Sequence, residues 1–288
     1  MIRGETRYLP SKKDGVGIFM SDKMSKKETI KLILRLAKND FKARFAGSYL
    51  GIVWAFAQPI VTILVYWFVF EKGFKPAAIT TKEGLDIPFV LFLVGGMVPW
   101  FYFSEALSSA TNTLLEYSYL VKKVVFRIDI LPLVKMMSAY IIHFILLLFT
   151  LLLFCCMGYF PSFYILQIVY YDIAMVLLVL GISYGTCAIV VFFRDLSQII
   201  GILLQVGVWI TPIMWNMETM DISPTLKLIF KLNPMYYIVT GYRDALYKNE
   251  GFWTHPELTL YFWVVTLALF FLGRLIFKRL KVHFADVL

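Results

Sequence analysis

The chain has 288 residues, 60% of them hydrophobic and 16% charged, with a formal net charge of +9 and a mean hydropathy of +0.74. Soluble domains run near half apolar and a quarter charged, so this balance excludes an ordinary soluble protein and points to an all-α integral membrane protein. In that setting the positive excess belongs to cytoplasmic loops and anionic headgroups rather than to nucleic acid.

The first 24 residues are polar and basic, with no apolar h-region before a small-residue cleavage site, so no signal peptide is expected. Residues 25–46, SKKETIKLILRLAKNDFKARFA, open with a capping box, Ser25-x-x-Glu28. Ile30, Ile33, Leu34, Ala37, Phe41 and Phe45 recur at helical spacing. Lys31, Arg35, Lys38 and Lys42 fall largely on the other side. The pattern predicts a basic amphipathic helix lying in the membrane interface. A plain anchor and a docking element for a cytoplasmic partner are both open. Residues 1–46 are read as a cytoplasmic N-terminal segment and 47–288 as the membrane domain.

Six apolar runs are long enough to span a bilayer core, which takes about 20 helical residues. They cover 47–70, 88–111, 133–157, 164–193, 198–215 and 258–277, the fifth being the shortest. With these spans, 21 of the 28 lysines and arginines fall on one side and 7 on the other. The positive-inside rule makes the richer side cytoplasmic, with both termini inside. The loop 116–132, EYSYLVKKVVFRIDILP, is then cytoplasmic, and it is basic and apolar together. Its run 121–126 rests against lipid or against another protein.

Ionisable groups inside spans are costly and default to functional candidates. Glu105 lies in the inner part of span two, and His143 and Asp172 fall near mid-membrane in spans three and four. The last two can pair, either as a structural polar contact or as part of a proton relay. Gly51, Ala55, Gln58, Thr62 and Tyr66 form a polar stripe on span one, and Gln198, Gly201, Gln205 and Pro212 approximate one on span five. Such faces should meet protein or a polar path. Gly47-x-x-x-Gly51 and Gly181-x-x-x-Gly185 match the small-xxx-small pattern of close helix approach. Trp54, Tyr66, Trp67, Tyr236 and Tyr237 lie beside the polar stripes, where aromatic faces suit sugar and polyol chains.

Between spans five and six, LNPMYYIVTGYRDALY (232–247) is too short to cross a bilayer and is broken at Asn233-Pro234. It predicts two short helices, 226–232 and 235–246, with Asn233 capping the second and Pro234 at its first position. Arg243 and Asp244 are read as a structural anchor at the outer end. Cys155, Cys156 and Cys187 make no CxxC or Cys/His spacing and are read as packed side chains. No P-loop, HExxH, GxSxG or metal-ligand spacing occurs, so no catalytic site and no metal are expected in this chain.

Five stretches in order, FKARFAGSYLGIVWAFAQP (41–59), VPWFYFSEAL (98–107), YLVKKVVFRIDILP (119–132), LNPMYYIVTGYRDALY (232–247) and FKRLKVHFADVL (277–288), resemble the permease subunits of ABC-type exporters of lipid-linked polysaccharides and teichoic acids. The likeness is greatest to the wall teichoic acid translocation permease; O-antigen and capsule permeases share much of the pattern. One departure is Arg127-Ile128-Asp129, where these permeases commonly carry a proline after the Phe.

The resemblance implies a homodimer in the bacterial plasma membrane, joined by two copies of a separate ATPase that carries ATP and Mg. It implies that the interfacial helix and the 117–130 loop dock that ATPase, through Glu28, Lys31, Arg35, Tyr119, Lys122, Lys123, Val124 and Phe126. It implies an export path between span one of one protomer and span five of the other, lined by Trp54, Gln58, Thr62, Tyr66, Gln198, Gln205, Tyr236 and Tyr237. It also implies that the outer segment, about 222–247, is re-entrant. Lys38, Lys42 and Arg44 at the cytoplasmic entrance would attract the phosphates of a lipid-linked anionic polymer. Two other classes compete, an ATP-independent secondary transporter and a membrane enzyme acting on lipid-linked sugars.

Overall fold

The computed structural model describes residues 25–47, 49–74, 79–80, 84, 86–122, 127–160, 162–217 and 219–288. Its elements follow the apolar runs. Helix α1 (Lys26–Arg44) leads to α2 (Val53–Phe68), which ends in a π-helical turn, Val69–Phe74. A two-residue hairpin follows, β1 (Ile79–Thr80) antiparallel to β2 (Asp86–Ile87), with Ile79 opposite Ile87. Then come α3 (Phe89–Thr111), the single turns α4 (Thr113–Glu116) and α5 (Ser118–Val121), and α6 (Leu131–Cys156). They are followed by α7 (Gln167–Val190), α8 (Leu196–Ile210), α9 (Pro224–Lys231), α10 (Pro234–Arg243), α11 (Pro256–Leu280) and a terminal turn, α12 (Phe284–Val287).

Among the described residues, five helical stretches are long and apolar enough to cross a membrane: Val53–Gly73, Phe89–Thr111, Ile128–Cys156, Phe163–Val190 and Pro256–His283. The expected span 198–215 is shorter than its apolar run. α8 stops at Ile210, and its 15 residues rise only about 22 Å against a core of about 30 Å. The cause is Pro212, which pushes the residue before it out of the helical region; Thr211 is extended, with ψ 129°. The first span also starts later than expected. Gly47 and Gly51 both have positive φ, +85° and +51°, and belong to the turn between α1 and α2. They therefore do not form the helix-packing pair that their spacing suggested, and Gly51 drops out of the polar stripe.

α3 is the centre of the bundle, with most of its residues buried among α2, α6, α7, α8 and α10. α7 packs along α11, and here the second glycine pair acts as expected. A Cβ on Gly273 would overlap the Gly181 carbonyl oxygen and stand 3.1 Å from Gly185 N, while one on Gly181 would meet Phe270 N at 2.8 Å. Backbone faces backbone, so neither side can yield by turning a side chain. Gly273→Ala should therefore lower stability by about 1–3 kcal/mol, seen as a lower unfolding temperature in detergent. Gly201→Ala, which meets nothing within 4 Å, should leave that temperature unchanged.

The outer walls differ from this core. α2 has no buried residue, and α8 buries only Ile200. Val61, Leu64, Val65 and Phe68 of α2 and Ile202, Leu203, Val206 and Trp209 of α8 are all exposed.

Candidate functional site

The capping box at Ser25 forms as its spelling predicts. Ser25 N donates to Glu28 Oε2 at 2.8 Å, so Glu28, an expected docking residue, serves as a helix cap. The apolar face of α1 is rotated from the expected one. Leu32, Ile33 and Ala37 pack on Ile130 and Val134 at the start of α6, whereas Ile30 and Leu34 are exposed. Lys31, Arg35, Lys38 and Lys42 point outward.

The same seam carries a charge network that the sequence did not announce. Asp40 is buried, and its Oδ1 accepts from Lys135 Nζ and from the Tyr117 hydroxyl, each at 2.6 Å. Lys135 also reaches Glu116 Oε2 at 2.6 Å. Burial pushes the Asp40 carboxyl up, but the Lys135 and Tyr117 hydrogen bonds and the Lys135 charge outweigh it and hold the group below its ordinary value. A depressed carboxyl stabilises the fold above its unfolded pKa and loses that contribution as pH falls through the folded one. The tie between α1 and α6 is thus fully made at neutral pH.

Arg44, at the end of α1, pairs with Glu105 of α3 through Nη1 and donates from Nη2 to Ser109 Oγ at 3.3 Å. Its expected role was to attract anions, yet its charge is already matched by Glu105. The pair lies between two cavities. One, of about 250 Å³, is lined by Arg44, Trp54, Gln58, Glu105 and His143. The other, of about 470 Å³, holds Asp40, Arg44, Glu105, Glu116 and Lys135. Trp54 and Gln58, expected on the substrate path, thus share a cavity with two of the three intramembrane polar residues. Thr62 does not join them; its hydroxyl donates to Gln58 O at 2.8 Å. Tyr66 meets Trp209 of α8 edge to face at 6.2 Å, a contact between the first and fifth expected spans within one chain. Gln198 and Gln205 are exposed on α8.

His143 and Asp172 do pair, with Nε2 to Oδ1 at 3.1 Å. Two tyrosines complete the group. The Tyr140 hydroxyl donates to Asp172 Oδ2 at 2.8 Å, and the Tyr242 hydroxyl donates to Oδ1. Tyr102 lies 5.0 Å from the imidazole, ring centre to ring centre. Tyr242 comes from α10, so the network joins three long helices to this short one.

The segment between α8 and α11 takes the expected form of two short helices. Asn233 Oδ1 accepts from Met235 N at 3.0 Å, with Pro234 in the first turn of α10. Asn233 Nδ2 also donates to Thr211 Oγ1 at 2.7 Å, tying this cap to the break after α8. Tyr237, expected on the substrate path, packs inward within the chain. It is buried, with its hydroxyl 3.0 Å from Tyr170 and 3.1 Å from Thr259. Tyr236 is half-buried. Arg243 is an anchor as expected, but a buried one. Nη1 donates to Pro212 O and Nη2 to Ile213 O, both at 2.7 Å, and its guanidinium stacks 3.5 Å over Phe92. Gly96 leaves it room, since a Cβ there would stand 3.0 Å from Nη2.

Of the loop 116–132, Tyr119 and Lys122 are exposed, while Lys123, Val124 and Phe126 lie outside the described residues. The unusual Arg127-Ile128-Asp129 forms a 3-10 turn. Arg127 Nη1 reaches Thr29 Oγ1 of α1 at 3.5 Å, and Asp129 pairs with Lys281 at 2.8 Å. Sequence spacing showed no metal-ligand set. The fold nonetheless gathers Asp244, Glu250 and His255, whose ligand atoms all lie within 4.8 Å of one another.

The profile of the ABC-2 type transporter family matches residues 31–247. The O-antigen export system permease protein RfbA of Myxococcus xanthus is 26% identical over 257 residues, covering 88% of this chain and 94% of that protein. The protein of the same name from Klebsiella pneumoniae is 28% identical over 263 residues, 89% of this chain and 95% of that one. The polysialic acid transport protein KpsM of Escherichia coli is 24% identical over 240 residues, 83% and 89% of the two chains. The match spans α1, the buried pairs beneath it and the outer helices, and this multi-pass membrane chain belongs to the ABC-2 type transporter family.

Proposed function

We propose that this chain is the permease subunit of an ATP-driven exporter that moves a lipid-linked polysaccharide from the cytoplasmic to the outer side of the bacterial plasma membrane. The family match over residues 31–247 carries the reading. The export roles that the relatives' names carry, over matches of 89–95% of their length, support it. Energy comes from a separate ATPase subunit holding ATP and Mg, because this chain's sequence has no phosphate-binding loop. Two ATPase copies serve two permease copies, with the exposed apolar walls of α2 and α8 facing each other across the dimer. Both termini are cytoplasmic, residues 1–46 form the cytoplasmic segment, and α9 with α10 forms a re-entrant lid on the outer side.

The relatives favour O-antigen or capsule-type polymers. Wall teichoic acid is a second reading, resting on the five ordered sequence stretches. The Arg44–Glu105 pair and the cavities beside it form the entrance, with Lys38 and Lys42 as its uncommitted positive charge. A secondary transporter is disfavoured by the same family match. Co-purification with the ATPase, followed by ATP hydrolysis assays with each polymer, tests the assignment; polymer transport that responds to an ion gradient and needs no ATPase subunit would refute it.

Docking is tested on α1. Lys31→Glu with Arg35→Glu alters two exposed side chains and no packing contact. The double variant should bind its ATPase about tenfold more weakly or worse while unfolding at the wild-type temperature. Retention of a fully coupled ATPase would rule out α1 as the docking element.

A further inference from the structure

We infer that Asp244, Glu250 and His255 form a binding site for a first-row divalent cation of the zinc type, clamping the end of the short outer helices to the head of the last long helix. His255 Nε2 stands 3.8 Å from Asp244 Oδ2 and 3.7 Å from Glu250 Oε2. Around a tetrahedral Zn²⁺ with bonds of about 2.0–2.2 Å, ligand atoms are separated by about 3.4 Å. The two measured gaps need close by only a few tenths of an ångström. His255 is the most exposed of the three, at 41%, and has room to make that adjustment.

A second observation points to a missing ligand. Asp244 is 1% exposed, yet its Oδ1 accepts no hydrogen bond. Buried carboxylates normally have their lone pairs filled. Lys248 Nζ forms an ion pair with Oδ1 at 3.7 Å, and Oδ2 is the oxygen that faces His255.

The donor set selects the ion. One imidazole with two carboxylate oxygens is a borderline set that suits Zn²⁺ and neighbouring divalent metals better than Ca²⁺ or Mg²⁺, which prefer all-oxygen shells. Three protein donors leave a fourth position open on the exposed side. The donors come from the π-helical turn Asp244–Lys248, from the loop after it and from the N-cap of α11. A bound ion would therefore join three stretches that the backbone connects only loosely.

The test uses the full-length chain in detergent, stripped with chelator and titrated with Zn²⁺ by equilibrium dialysis. The expected result is one Zn²⁺ per chain, a rise in unfolding temperature on binding, and tetrahedral visible bands when Co²⁺ is substituted. His255→Ala and Glu250→Gln should each weaken binding at least about tenfold and abolish the thermal rise. Both variants should unfold at the wild-type temperature without metal, which separates ligand loss from misfolding. Equal Zn²⁺ affinity in wild type and His255→Ala, or no stoichiometric binding at all, overturns the assignment.

Discussion

Arg243→Ala should lower the stability of the isolated chain by about 4 kcal/mol, enough to remove most folded protein. The magnitude comes from the carbonyls it serves. Helix α8 ends at Ile210, and the chain turns at Pro212, leaving Pro212 O and Ile213 O without helical partners inside the bundle. Arg243 fills both at 2.7 Å and also reaches Phe92 O at 3.3 Å. Each hydrogen bond from a charged donor contributes about 1.5–3 kcal/mol, and each buried group left unsatisfied costs about 1–3 kcal/mol. Removing the side chain also empties space over the Phe92 ring, where the guanidinium stacks. Arg243→Lys should recover less than half, because an ammonium cannot present a planar fork to several carbonyls at once. Unfolding temperature in detergent, followed by tryptophan fluorescence, reads both variants. A wild-type temperature for Arg243→Ala would mean that water or rearranged backbone fills the same carbonyls.

Asp172→Ala comes next, at about 2–3 kcal/mol. The carboxylate accepts from Tyr140, His143 and Tyr242, and its loss strands two buried donors and a half-buried one together. Hydrogen bonds inside membranes average about 0.6 kcal/mol and reach about 1.7 kcal/mol, which sets the lower end. Asp172→Asn keeps one acceptor oxygen and should recover about half. The same site separates the two early readings of this pair. A structural network predicts that export falls in step with folded protein across the substitutions. A proton relay predicts that Asp172→Asn and His143→Phe lose export while remaining folded. The closed ring of partners around Asp172 favours the first outcome.

Much of the architecture was written in runs and punctuation. The apolar stretches 88–111 and 133–157 became Phe89–Thr111 and Leu131–Cys156 almost unchanged, because a long uninterrupted apolar run has few other ways to satisfy its backbone. Asn233-Pro234 and Ser25-x-x-Glu28 acted as local signals and formed the caps their chemistry requires. Other features depended on contacts between distant parts of the chain. Asp40 and Lys135 lie 95 residues apart, and nothing local marks them as partners. Tyr242 joins Asp172 across 70 residues, and His255 meets Asp244 only because a π-helical turn and a loop fold back on one another. The orientation of α1 was misjudged for a related reason. Its pattern showed that one face is apolar, but the position of α6 decided which side chains are covered. Tyr237 illustrates the converse, since an aromatic beside a suspected path was drawn inward by Tyr170 and Thr259.

The bareness of α2 has a mechanical meaning. Its lower end is jointed at Gly47 and Gly51, both in left-handed backbone, and its upper end passes into a π-helical turn. Between those joints no side chain is fully buried, though Phe56, Ile63, Tyr66 and Trp67 rest partly buried against the core. α3, α6, α7 and α11 form a stiff chassis, locked by glycine contacts and buried polar groups. α2 is hung on it like a door panel, held on its inner face by that partial packing and on its outer face by whatever lies against it.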